Sequence, residues 1–174
     1  MHYYHVPKKK TKLRIVGPSP TLVYPCGFFD EVAADCKGGV GFFLALNESH
    51  SLNFTMDCGL STNTKAKLLA LWALLDVAVD LGIPSLNIFG DSAVIINWEK
   101  CHASLDPPDL SHWCMDTRRL ISCFLHLSFS HTYREHNQLA NRLSKYGLSL
   151  APRCGNFSEI LDCHLASSDT FHLF

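Results

Sequence analysis

Residues 61–92 read STNTKAKLLALWALLDVAVDLGIPSLNIFGDS, and the order of signals in this stretch decides the fold class. Ser61 or Thr62 supplies an N-cap hydroxyl, and Leu68, Leu71, Trp72, Leu75 and Val79 then recur at the spacing of one helical face through about Leu81. Gly82 and Pro84 end that helix. Ser85 to Phe89 follows as a short apolar strand, and Gly90, Asp91 and Ser92 place a carboxylate at the mouth of the next helix, which carries Val94, Ile95 and Trp98. Strand, carboxylate, helix is the arrangement in which α/β sheets hold active sites at the carboxyl ends of their strands.

Working outward, Thr21 to Phe29 reads as a first strand ending at Asp30, and after the Gly38-Gly39 turn signal Val40 to Leu46 gives a second. Leu52, Phe54 and Met56 alternate with Asn53, Thr55 and Asp57, the period of a half-buried third strand, so an antiparallel meander precedes the helix. On the other side, Pro107 and Pro108 lead into a helix with Leu110, Trp113, Cys114, Leu120, Ile121 and Phe124. Leu127, Phe129 and His131 alternate as a fifth strand, and a final helix covers about Asn137 to Gly147. The order predicts an α/β domain over residues 21–150, a mixed sheet flanked by helices. A basic extension precedes it over residues 1–20, and residues 151–174, where periodicity is lost, are expected to be a tail or an unplaced terminal strand.

A chain of 174 residues, 47% hydrophobic, supports one core and not two. The formal charge of -1 does not announce a nucleic-acid binder, and the run Lys8, Lys9, Lys10, Lys12, Arg14 reads as a solvated tail ahead of the first strand. The eight cysteines are scattered without a CxxC pair, which argues against a zinc site. Without a secretory pattern at the N-terminus, the expected setting is the reducing cytoplasm or nucleus. Asp76 and Asp80 interrupt the longest apolar stretch, so no membrane span is expected. Neither a Gly-rich phosphate loop nor a nucleophilic triad motif is present.

Four segments carry a family resemblance: GFFDEVA (27–33), STNTKAKLLALWALL (61–75), FGDSAVIINW (89–98) and HTYREHNQLANRLSK (131–145). In this order, from about Tyr24 to Leu150, they resemble the ribonuclease H family, specifically the plant retroelement-type domain attached to reverse transcriptases. The resemblance implies a five-stranded mixed sheet and endonucleolytic hydrolysis of the RNA strand of an RNA/DNA hybrid. It also implies a site in which clustered carboxylates hold two divalent cations, Mg2+ or Mn2+, that activate water and stabilise the leaving oxygen.

The family's four carboxylate positions fall here on Asp30, Lys67, Asp91 and Asn141, so only Asp30 and Asp91 remain as catalytic, metal-binding acids. An ammonium about 4 Å from a dication costs on the order of 8 kcal/mol at an effective dielectric near 20. Even half of that, about 4 kcal/mol, is near a thousandfold in affinity, so any metal is expected to bind weakly. Glu31 stands where the family has a small glycine, and the strand pleat turns it away from the face of Asp30.

The family's substrate-contacting positions correspond to Thr62, Asn63, Ser92 and Asn137, although a hydroxyl at Thr62 or Ser92 is equally suited to capping a helix. His131 and His136 lie where the family carries a mobile histidine. Lys65, Lys67, Arg134 and Arg142 make the region less repulsive to phosphate. Trp72, Trp98 and Trp113 are assigned to packing, and Asp57, Asp76 and Asp80 to surface or capping roles. The expectation is a retroelement-derived domain that binds RNA/DNA hybrid or double-stranded RNA and cleaves poorly. An active divalent-metal hybrid endonuclease is the second reading, and a protein-interaction scaffold the third.

Overall fold

The computed structural model describes residues 19–101 and 110–172. The basic run Lys8–Arg14 and the Pro107-Pro108 loop lie outside the described residues. Strands β1 (Cys26–Ala34), β2 (Lys37–Ala45) and β3 (His50–Leu60) form the expected antiparallel meander. Helix α1 (Asn63–Asp80) leads to β4 (Ser85–Gly90), and α2 (Ala93–Cys101) follows it. Then come α3 (Ser111–Ile121), β5 (His126–His131) and, after a 3-10 turn at Arg134–His136, α4 (Gln138–Gly147). Parallel pairing of β4 with both β1 and β5 makes the sheet mixed.

Three expectations are corrected. β1 does not end at Asp30: the strand continues to Ala34, so Asp30 lies inside it opposite Gly41. The β1–β2 turn is made by Asp35 and Cys36, both in the left-handed region (φ 50 and 63), and Gly38-Gly39 belongs to β2. The expected five strands become seven, because residues 154–172, expected as a tail or one unplaced strand, form a hairpin, β6 (Cys154–Leu161) and β7 (His164–His172). β6 pairs antiparallel with β3, giving the order β5-β4-β1-β2-β3-β6-β7.

Helix α1 is buried on more than one side, since Leu69 and Leu74 are covered along with Leu68, Leu71 and Leu75. It lies on the sheet face reached by odd-numbered β1 residues: a side chain at Gly27 would strike Leu74, and Phe29 joins the same core. The even-numbered residues Cys26 and Phe28 face α4 and pack with Ala140. α4 lies close on β2 because Gly39 and Gly41 leave room; a Cβ at either would collide with the α4 backbone at Ser144. Trp98 is a core residue, 2% exposed, whereas Trp72 and Trp113 are half-buried against the core, edge to face at 5.2 Å. Asp57, expected in a surface or capping role, is fully buried, and its Oδ1 accepts from the backbone N–H groups of Gly59 (2.8 Å) and Arg153 (3.3 Å). Among the described residues no helix is long and apolar enough to cross a membrane.

Candidate active site

Alternation along β1 fixes the site. Asp30 points to the α4 face and Glu31 to the α1 face, as the pleat requires. Close approach of α4 over Gly41 brings Asn141 within reach, and its Nδ2 donates to Asp30 Oδ2 at 2.8 Å. Asp30 Oδ1 accepts from the Glu31 backbone N–H at 2.9 Å. On the other face the Glu31 carboxyl lies 3.9 Å from the Lys67 ammonium on the first turns of α1. Asp91, just beyond the end of β4, receives Arg134 Nε at 3.6 Å from the 3-10 turn. Asp30 and Glu31 within β1 and Asp91 beyond the end of β4 thus each have a donor or cation of the same chain as partner.

Electrostatics follow from burial. Asp30 is 3% exposed, and desolvation, then the charge of Asp91, push its pKa up to about 6 against the Asn141 hydrogen bond, the Glu31 N–H and Arg134. Glu31 is pushed up to about 8, first by burial and next by Asp30, with Asp91 adding to them. The Lys67 ammonium pulls it back only in part. Burial therefore biases the Glu31 carboxyl toward its protonated form despite the Lys67 contact.

The residues present do not fit a two-cation site. Both Asp30 oxygens already accept protein hydrogen bonds, residue 141 turns its NH2 toward Asp30, and an ammonium occupies the helix position. Among the described residues no group of three or more His, Cys, Asp or Glu side chains is arranged to hold a metal ion.

Of the expected contact residues, Thr62 and Asn63 are exposed at the start of α1, where Thr62 Oγ1 also caps the helix by accepting from Lys65 N at 3.2 Å. Ser92 and Asn137 are buried, 6% and 1% exposed, and serve the framework instead of a surface. Ser92 Oγ accepts from Ile95 N at 3.5 Å at the head of α2. Asn137 Nδ2 donates to the Phe29 carbonyl at 2.9 Å, tying the start of α4 to β1 one residue before Asp30. His131 lies against Tyr133 with ring centroids 5.9 Å apart, and His136 Nδ1 is 3.4 Å from Ser19 Oγ. Sequence reasoning missed the Glu31–Lys67 and Arg134–Asp91 pairs. Alternation announced only the first, by sending residue 31 to the helix face.

The topology and the placement of Asp30 and Asp91 define a ribonuclease-H-like domain. The chain belongs to the reverse transcriptase-like family, whose model matches residues 45–147 of the 174. Among solved structures it is similar to RNase H1 from the halophilic archaeon Halobacterium salinarum NRC-1, 26% identical, with a TM-score of 0.66 over 72% of this chain and 98% of that one. The N-terminal RNase H domain of a Mycobacterium tuberculosis protein, solved as a maltose-binding-protein fusion, shares the fold at 21% identity and TM-score 0.63, covering 71% and 94%. LC11-RNase H1 in complex with RNA/DNA hybrid does so at 18% identity and TM-score 0.63, covering 71% and 96%. No curated protein matches the chain.

Proposed function

We propose that this chain is a nucleic-acid-binding domain of retroelement descent that takes RNA/DNA hybrid or double-stranded RNA and cleaves it poorly. The observation that carries the reading is that every carboxyl of the site is engaged from within: Asp30 by Asn141, Glu31 by Lys67 and Asp91 by Arg134. Water activation in this reaction class needs free carboxylate oxygens around divalent cations, and these side chains offer few. Lys67 and Arg134 also lower the repulsion a phosphate backbone would meet, and Thr62 and Asn63 stand exposed at a helix N-terminus suited to phosphate or 2′-OH contact. The hybrid held by LC11-RNase H1 supports the substrate class, and the reverse transcriptase-like family supports the descent.

The mutual repulsion of Asp30 and Asp91 favours a second reading, a hydrolase working with one weakly bound Mg2+ or Mn2+. Cleavage of a labelled RNA/DNA hybrid with either ion separates the two. The expected result is salt-dependent binding without cleavage by the wild type, cleavage by Lys67→Glu with Asn141→Asp, and silence again when Asp91→Asn is added. Wild-type cleavage abolished by Asp91→Asn overturns the first reading and installs the second. A binding constant indifferent to salt overturns nucleic-acid recognition altogether.

A further inference from the structure

On the other side of the first turns of α1 lies a cavity of about 230 Å3, bounded by the end of β3, α1, α3 and the segment that follows α4. Cys58, Leu60, Lys65, Trp72, Trp113 and Arg153 are among its lining residues. Lys65 and Lys67 are two positions apart on a helix, a spacing that sends side chains to different sides, so the cavity is separate from the carboxylate site. Neither Lys65 nor Arg153 forms an ion pair with a described acidic residue. Two unneutralised cations thus border one cavity.

Its walls are held in place. Asp57, buried within β3, ties the backbone of Gly59, near the end of that strand, to the backbone of Arg153, which takes a left-handed conformation (φ 60). Trp72 Nε1 donates to Asp116 Oδ2 at 2.6 Å, which fixes the indole plane, and Trp113 meets it edge to face. Fixed rings and a tied Arg153 backbone reduce the ordering cost of binding.

We propose that this cavity binds a mononucleotide, its phosphate between Lys65 and Arg153 and its base against the Trp72–Trp113 pair. A phosphate monoester carries a charge of about -1.5 to -2, matching two cations where a carboxylate needs one. Indole surface suits a flat base without demanding its identity. At about 230 Å3, below the range of about 300–1,000 Å3 that encloses a small-molecule ligand, the cavity takes part of one nucleotide and leaves the rest in solvent. The site stands whatever the carboxylate cluster does with nucleic acid.

Indole N–H resonances of the full chain test it, because the three tryptophans divide into a buried reference, Trp98, and two reporters. Titration with AMP, GMP, CMP or UMP should shift Trp72 and Trp113 and leave Trp98 unmoved. Inorganic phosphate and the unphosphorylated nucleosides should each bind at least about tenfold more weakly. Arg153→Gln and Lys65→Gln should each weaken nucleotide binding about tenfold with unchanged circular dichroism, and Lys145→Gln on α4 should not. Phosphate binding as tightly as the nucleotides overturns the nucleotide assignment, and nucleosides doing so overturn the role of the cations. Absence of shifts, or shifts indifferent to both Arg153→Gln and Lys65→Gln, overturns the site.

Discussion

Asp30 and Glu31 are consecutive carboxyls on one strand, yet they belong to opposite faces of the sheet and behave differently. On the α4 face Asp30 meets a neutral amide with good geometry, and its pKa rises only to about 6. On the α1 face Glu31 meets a full positive charge at 3.9 Å and still rises to about 8. Glu31 is opposed by burial and by two carboxylates, Asp30 and Asp91, with one ammonium at 3.9 Å against them, whereas Asp30 is opposed by burial and one carboxylate and accepts from both Asn141 and the Glu31 N–H. Proximity of opposite charges does not by itself keep a buried acid ionised.

The most severe way to break this contrast is to remove α4. Gly41→Val drives a side chain into the α4 backbone and should cost about 3 kcal/mol in urea unfolding. Next comes pH. A raised carboxyl pKa means the folded state holds a proton the unfolded state has lost, so Glu31 lowers stability as pH climbs from about 4.5 to about 8. Asp30 does the same from about 3.8 to about 6. Glu31→Gln should therefore flatten the stability profile above pH 6, gaining about 1–2 kcal/mol near pH 8, and leave below pH 6 only the fall that Asp30 contributes. A profile still falling between pH 6 and 8 would refute the burial argument.

Asn141→Leu sharpens the other face, stripping Asp30 of its amide partner. It should cost about 1–2 kcal/mol at pH 8 and less at pH 5, where Asp30 is protonated, as thermal unfolding at the two pH values would show. The smallest stability effect belongs to Arg134→Gln, whose side chain is 70% exposed at 3.6 Å from Asp91: below about 0.5 kcal/mol. If Arg134 contacts phosphate, the same change should reduce the salt slope of hybrid binding by about one.

Much of the architecture was legible because α1 repeats at helical spacing and β3 alternates cleanly. The positions of Asp30, Asp91, Lys67 and Asn141 followed from four linked motifs. The C-terminal hairpin was not legible, for a physical reason. Its turn is Asp162-Cys163, both at positive φ (49 and 64), where the strongest hairpin signal is a glycine in the second place. β7, HLASSDTFH, carries little apolar alternation, because it is exposed along most of its length. The same Asp-Cys pair turns β1 into β2 and hid behind the more conspicuous glycines that make room for α4. Arg134 could not be assigned to Asp91 from sequence, since that contact depends on where a 3-10 turn sets the chain.

The Glu31–Lys67 contact makes two positions of the site answer together. An acid placed at residue 67 alone would face Glu31, and a glycine placed at residue 31 alone would remove the carboxyl that Lys67 meets at 3.9 Å. Neither single change reads out one residue's role, so a double-mutant cycle over 31 and 67 is the unit in which this site is dissected.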